Sequence, residues 1–276
     1  MVNRRRILVT GGAGYIGSHT IIELLQDPLM DVVSIDNFSN SSPSTYERIK
    51  SITGRSIETH DIDLCDLPAL KQMISNEGPI NGVIHFAAFK SVPESVQWPL
   101  KYYHNNLDAL LNILEVIKEN DIPTFIFSSS CSVYGDIEKL PVSETTTLGE
   151  ARSPYAYTKQ VGERIVNDHT VAHNGLGAIS LRYFNPVGAH PSGRLGEDPI
   201  NPPTSLVPII TRAATGRIKE LTVHGIDYDT RDGSCIRDYV HVCDIARAHV
   251  KALDHAGSGG MSSAHEIINL GTGKGI

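Results

Sequence analysis

Three side chains are placed to act together. Tyr155 and Lys159 stand four residues apart in a stretch that reads as helix, so they share one face. An ammonium beside a phenol favours the phenolate and lowers the phenol pKa toward working pH. A phenolate held there is a general base, a role worth about 10²- to 10⁴-fold in rate. Ser130 follows the short apolar run Phe125-Ile126-Phe127 and offers a hydroxyl to hold a substrate hydroxyl or carbonyl. The spacing alone also fits an ordinary surface pair on a helix. The elements around it decide between the two.

Those elements begin with Ile7-Leu8-Val9-Thr10, an apolar run too short for a helix. Gly11, Gly12, Gly14 and Gly17 follow, then an amphipathic stretch with Ile16, Ile21, Ile22, Leu24 and Leu25. This order predicts strand, tight turn and helix N-terminus. Glycines 12, 14 and 17 keep the G-x-G-x-x-G spacing, and 11, 14 and 17 the looser G-x-x-G-x-x-G. Backbone without Cβ atoms can come close to a pyrophosphate. The unpaired N–H groups and the charge of roughly +0.5 at the helix end attract it. The run Val32 to Ile35 ends in Asp36, where a carboxylate at a strand tip meets a ribose 2′-hydroxyl. No Arg or Lys stands between Asn37 and Thr45 to receive a 2′-phosphate, so NAD is expected rather than NADP. A glycine turn with a helix-capping Asp is the plainer alternative, and the register of strand, turn, helix and acid argues against it.

Strands expected at 56–60, 83–88, 125–127 and 177–182 alternate with helical patterns. That alternation predicts an α/β fold, a doubly wound parallel (Rossmann) sheet. Asp63 is placed either to meet an adenine amine or to cap the helix from Leu67. Lys90 lies past the carboxyl end of the fourth strand, where open sheets bind ligands. A helix is expected over 99–120, with Leu107, Leu110, Leu111, Leu114 and Ile117 buried. Asn106 on that helix reaches either the cofactor or a neighbouring loop. From Tyr183 onward the chain is rich in Pro and Gly, with a helix expected over 205–215 and short strands near 221–224 and 266–270. We read domains 1–184 (NAD-binding) and 185–276 (smaller, substrate-binding, across the sheet edge), with the helix over 242–254 able to pack back on the first.

The bulk numbers narrow the function. A chain of 276 residues can bury a full core, and 31 acidic against 24 basic residues argue against nucleic acid or an anionic membrane as partner. Cys65, Cys131, Cys235 and Cys243 lack metal or disulfide spacing, which suits a reducing cytoplasm. Arg4-Arg5-Arg6 precedes only three apolar residues before Thr10, so no secretory or membrane segment is expected. No metal is expected either. His169 and His173 lack a third ligand, and His265-Glu266 lacks the second histidine of a zinc hydrolase motif. Gly271-Thr272-Gly273-Lys274-Gly275 lacks the spacing of a phosphate loop.

Thr10 to Gly17, Ser130 with Tyr155-x-x-x-Lys159, and Tyr183-Phe184-Asn185-Pro186 resemble the extended short-chain dehydrogenases/reductases. Gly196-Glu197-Asp198-Pro199, Asp227-Tyr228-Asp229-Thr230 and Arg237-Asp238-Tyr239-Val240-His241 resemble the UDP-galactose 4-epimerase family among them. The resemblance runs along the whole chain. It implies reversible 4-epimerisation of UDP-galactose and UDP-glucose through a transient 4-keto sugar, with NAD retained, in a homodimer. It implies NAD contacts from Gly11, Gly14, Tyr15, Ile16, Gly17, Asp36, Asn37, Phe38, Ser39, Asn40, Asp63, Leu64, Phe86, Lys90, Asn106, Tyr155, Lys159 and Tyr183. For the UDP-sugar it implies Lys90, Ser130, Cys131, Ser132, Tyr183, Phe184, Asn185, Ser205, Leu206, Val207, Thr222, Val223, His224 and Arg237, with Arg237 clamping the diphosphate.

Three departures from the family pattern carry expectations of their own. Ser205 stands where the family usually has an Asn, and His224 where an aromatic is common. The chain ends before the family's last diphosphate-binding arginine and the residue gating N-acetylated sugars, so the second domain is expected to be C-terminally truncated and its pocket open on one side. Alternatives are a sister nucleotide-sugar enzyme (UDP-GlcNAc 4-epimerase, decarboxylase or dehydratase) or an NAD-binding protein with impaired catalysis. A 4,6-dehydratase would need an Asp-Glu pair where Cys131 and Ser132 stand.

Overall fold

The structure, a computed structural model, describes residues 4–137, 139–223 and 225–276. Its centre is the most apolar part of the sequence. Strands β1 (Arg5–Thr10), β2 (Met30–Asp36), β3 (Glu58–Asp61), β4 (Gly82–His85), β5 (Thr124–Ser128) and β6 (Gly177–Tyr183) lie parallel in the order β3-β2-β1-β4-β5-β6. Every residue of β4 and β5 is buried, as in parallel strands covered on both faces. Alternate residues of β1 point to opposite faces. Leu8 joins Leu70, Ile113, Phe125 and Val166 on one side, whereas Ile7 and Val9 join Ile21, Leu24, Ile126 and Leu253 on the other.

The helices α1 (Tyr15–Leu24), α2 (Ser44–Thr53) and α3 (Leu67–Asn76) connect the first four strands. Beyond β4 come α4 (Val92–Gln97), α5 (Pro99–Tyr103) and α6 (Ala109–Glu119), and α7 (Pro154–Ala172) precedes β6. Strand order reverses between β1 and β4. Ligands bind at the carboxyl ends of the strands at such a point.

The structure departs from expectation in three places. The helix expected over 99–120 is interrupted by a π-helical turn, His104–Asp108, between α5 and α6. No strand forms at 221–223. A final strand, β9 (His265–Leu270), pairs with β6 as the seventh strand of the main sheet, rather than standing in a separate unit. The helix before it, α9 (Val242–Gly257), packs against α1 and under β5 and β6. What remains beyond Tyr183 is β7 (Asn185–Val187) paired with β8 (Tyr239–His241), plus α8 (Leu206–Ala214) and loops.

Three enclosed histidines make the fold sensitive to acid. Burial lowers the pKa of His19 to about 4, His85 to about 3 and His249 to about 4. His19 and His249 donate from Nδ1 to the carbonyls of Tyr15 (2.7 Å) and Ile245 (2.8 Å). Their buried Nε2 atoms have no partner, which a bare lone pair tolerates better than an added N–H. In the unfolded chain these rings titrate near ~6.5. Between that value and about 4 the unfolded chain binds more protons, so stability is present above this window and is lost as pH falls through it. The urea midpoint is expected to drop between pH 7 and pH 5; a constant midpoint would show that the three rings ionise in the folded state.

Candidate active site

A cleft of about 1520 Å³ opens at the carboxyl ends of the strands and runs under the loops of the second half. The glycine turn forms its floor at one end. Gly11 has φ +69°, and a Cβ there would lie 2.8 Å from the Ala87 nitrogen. A Cβ on Gly17 would lie 2.3 Å from the Gly11 carbonyl oxygen. Both glycines are therefore demanded by the packing of turn against helix and neighbouring strand. Gly14 caps α1 without any side-chain hydrogen bond, and the first turn carries no acidic residue. Gly14, Tyr15, Ile16 and Gly17 line the cleft; the Gly14 amide donates to the Gly11 carbonyl (3.1 Å), and the positive end of α1 beyond it fits an anionic pyrophosphate.

Asp36 organises the next part. Its Oδ2 accepts from the Ala13 amide (3.0 Å), and its Oδ1 from the Phe38 amide (2.9 Å) and Ser41 Oγ (2.8 Å). A carboxylate has about four acceptor positions, so these bonds leave one for a ribose hydroxyl. Asp63 accepts from the Cys65 amide and from Asn37 Nδ2. The cap of α3 is Asp66, which accepts from the Ala69 amide at 3.0 Å, so the capping alternative for Asp63 falls.

The three reactive residues converge from two elements. Ser153 Oγ accepts from the Ala156 amide and, with Pro154 in the first turn, fixes where α7 starts. Tyr155 then stands in the first turn and Lys159 one turn on. Lys159 Nζ donates to the Ser128 carbonyl at 2.7 Å and lies 5.0 Å from the Phe127 ring centre. Ser130 caps a 3₁₀ turn, Cys131–Tyr134, its Oγ accepting from the Ser132 amide at 3.2 Å. Tyr183, at the end of β6, shares a 2.6 Å hydrogen bond between its hydroxyl and Ser128 Oγ.

The electrostatics correct one expectation. Burial, reinforced by Tyr183, pushes the Tyr155 phenol above its ordinary value, and the Ser130 hydroxyl opposes this. Burial also brings Lys159 down to about 8, with Glu163 acting against the fall. In this enclosed site desolvation is the largest influence on the phenol.

The family model for the NAD dependent epimerase/dehydratase family matches residues 7–271. The chain belongs to that family. It is 48% identical to the UDP-glucose 4-epimerase uge1 of Schizosaccharomyces pombe, over 99% of this chain and 77% of that protein. It is 47% identical to the UDP-glucose 4-epimerase of Bacillus subtilis, over 98% of this chain and 78% of the relative. The crystal structure of the UDP-glucose 4-epimerase from Bifidobacterium longum in complex with NAD+ and UDP superposes with a TM-score of 0.92 at 45% identity, covering 98% of this chain and 79% of that one.

As a member of the NAD dependent epimerase/dehydratase family, the chain brings most of its candidate residues to one cleft. Asn37, Ser39, Asn40, Leu64, Phe86 and Lys90 line the half next to the glycine turn. Ser130, Cys131, Ser132, Tyr183, Phe184 and Asn185 line the middle, and Ser205, Leu206, Val207, Thr222, Val223 and Arg237 the far half. His224 lies outside the described residues.

Two expected cofactor contacts are not on the wall. The Phe38 ring packs edge-on against Tyr46, 6.1 Å between centres, because a φ of +54° turns the chain there. Asn106, buried in the π turn, donates from Nδ2 to the Phe89 carbonyl (3.1 Å) and Thr158 Oγ1 (3.1 Å). Its Oδ1 accepts from the Phe89 amide at 2.8 Å. Asn106 therefore braces the loop that carries Lys90, the neighbouring-loop alternative.

Side chains far apart in sequence add contacts that local spacing did not reveal. Lys90 Nζ meets Glu197 Oε1 at 2.7 Å across the cleft. Tyr15 donates its hydroxyl to the Gly188 carbonyl at 2.6 Å, and the Asn201 amide donates to Asn40 Oδ1 at 3.0 Å. Among the described residues one cluster has metal-like donors, Glu58, His60 and Glu77. Arg6 Nη2 lies 2.8 Å from Glu58 and 2.5 Å from Glu77, so a guanidinium already balances that charge.

Proposed function

We propose that this chain interconverts UDP-galactose and UDP-glucose at C4 with NAD retained in its cleft. The observation that carries the reading is the convergence of Ser130, Tyr155 and Lys159 on the cleft that the glycine turn and Asp36 open. Family membership and the named relatives support it. Gly14, Tyr15 and Ile16 would hold the pyrophosphate, Asp36 the adenosine ribose, and Lys159 the nicotinamide ribose.

NAD held by those residues would supply a two-electron oxidant at C4 and a positive ring charge that favours the Tyr155 phenolate. Tyr155 Oη takes the proton of the sugar 4-hydroxyl while Ser130 Oγ hydrogen-bonds the same oxygen. Lys159, as an ammonium, holds the phenolate form of Tyr155. The 4-keto sugar turns about its diphosphate tether, which Arg237 grips, and presents its other face. Tyr155 then returns the proton to the 4-oxygen, and the C4 epimer leaves. Proton and electron pair both return to the sugar, so nothing is consumed.

The partner would be a second copy of the chain, meeting through exposed apolar side chains around α4 to α7 such as Trp98, Leu100, Leu111 and Tyr157. A cytoplasmic location is supported by four unpaired cysteines. Among the described residues no helix is long and apolar enough to cross a membrane.

Purified protein mixed with UDP-galactose and no added cofactor is expected to form UDP-glucose, followed by NMR of the anomeric protons. A 4-keto-6-deoxy product would instead identify a dehydratase. UDP-N-acetylgalactosamine belongs in the same assay. The UDP-Glc/GlcNAc 4-epimerase of Campylobacter jejuni is 36% identical to this chain, with a TM-score of 0.82.

A further inference from the structure

We infer that Glu163 is a positioning residue of this reaction: its buried pair with Arg182 and its bond to Ser129 lock the three elements that carry Lys159, Ser130 and Tyr183, and its carboxylate stands one helical turn from Lys159 on the same face. The inference rests on the epimerase reading above. Glu163 lies one turn beyond Lys159 on α7, so the two share a face, and both are buried. Its Oε1 accepts from Ser129 Oγ (2.5 Å) and Arg182 Nε (2.8 Å), and its Oε2 from Arg182 Nη2 (2.6 Å). Ser129 is the neighbour of Ser130 past the end of β5. Arg182 is the neighbour of Tyr183 on β6. One carboxylate therefore ties together the helix and both strands from which the reactive groups project. Arg182 Nη1 also donates to the Tyr134 hydroxyl (3.0 Å), which in turn donates to Asn269 Oδ1 (2.7 Å) on β9.

Stability alone is a weak reason for such a pair, because well-packed apolar residues often replace buried ion pairs at no net loss. The field at Lys159 is a stronger one. The groups facing the ammonium are Tyr155 and Glu163 from its own helix, and His85 from β4, which burial holds neutral. From β5 come the Ser128 carbonyl and the Phe127 ring face. Glu163 is the one anion in that set. Without it the buried ammonium loses the one charge that opposes its desolvation, and the proton is driven off Lys159.

The test uses the holoprotein and three variants: Glu163→Gln, Glu163→Asp, and Glu163→Gln with Arg182→Met. The double variant removes the stranded arginine in case the single one fails to fold. Lys159 ionisation is read directly by NMR of ¹⁵Nζ-labelled protein, assigned through Lys159→Met, and in parallel from the pH profile of kcat. In Glu163→Gln the Lys159 titration and the alkaline limb of kcat are expected to move together toward neutral pH by about one unit, the effect of one close charge. Turnover of UDP-galactose at pH 9 then falls about tenfold with KM little changed. Glu163→Asp is expected to restore the limb, and the double variant to keep it displaced. A Lys159 titration unmoved in folded Glu163→Gln and in the double variant overturns the inference. If the titration moves but wild-type protein turns over no UDP-galactose, the epimerase reading fails instead.

Discussion

Tyr155→Phe is expected to slow C4 epimerisation by about 10²- to 10⁴-fold, the usual worth of a positioned general base. The substitution removes a single oxygen and leaves the ring in place. It should change neither the melting temperature nor the NAD that copurifies with the protein, and KM for UDP-galactose should stay close to wild type. An interaction needed only for proton transfer lowers kcat and kcat/KM together. The measurement is the initial rate of UDP-glucose formation alongside the absorbance of bound cofactor. Tyr183 is the other phenol on the cleft wall, but its hydroxyl is engaged with Ser128 and burial pushes it up to about 12. A Tyr155→Phe rate within tenfold of wild type would falsify the assignment of Tyr155 as base and turn attention to Tyr183.

Gly17→Ala is expected to cost both cofactor and stability. The added methyl would sit 2.3 Å from the Gly11 carbonyl oxygen and 2.9 Å from the Gly12 Cα, and neither backbone atom can swing aside as a side chain does. Either α1 moves away from the turn or the turn opens, and both displace the amides at Gly14, Tyr15 and Ile16. Overpacking of this kind costs about 1–3 kcal/mol. The expected result is a lower melting temperature and little NAD surviving gel filtration. Gly257→Ala is the control. A Cβ there comes no nearer than 3.5 Å to Arg5 Nη2, and alanine favours the end of α9, so stability should hold or rise slightly. If Gly17→Ala retained a full complement of NAD, the glycine turn would not be the pyrophosphate cradle.

Much of this protein was legible in its residues taken a few at a time. Alternating apolar runs and amphipathic stretches from Ile7 to Arg182 specify a parallel α/β sheet, because strand and helix periodicities are properties of short windows. Gly11 to Gly17, Asp36, and the Tyr155–Lys159 spacing are likewise local, and the turn, strand tip and helix face they form need only neighbouring residues. Tertiary structure decided what depends on contacts between distant segments. β9 joins the main sheet because its backbone pairs with β6, and a six-residue strand carries no mark of its neighbour. Asn106 turns to the Phe89 loop because a π turn rotates it there. The direction of the Tyr155 pKa reverses because burial, which grows only as the chain closes around the site, pushes the phenol up. The Lys90–Glu197 and Glu163–Arg182 pairs join segments that only the fold brings within reach of a hydrogen bond.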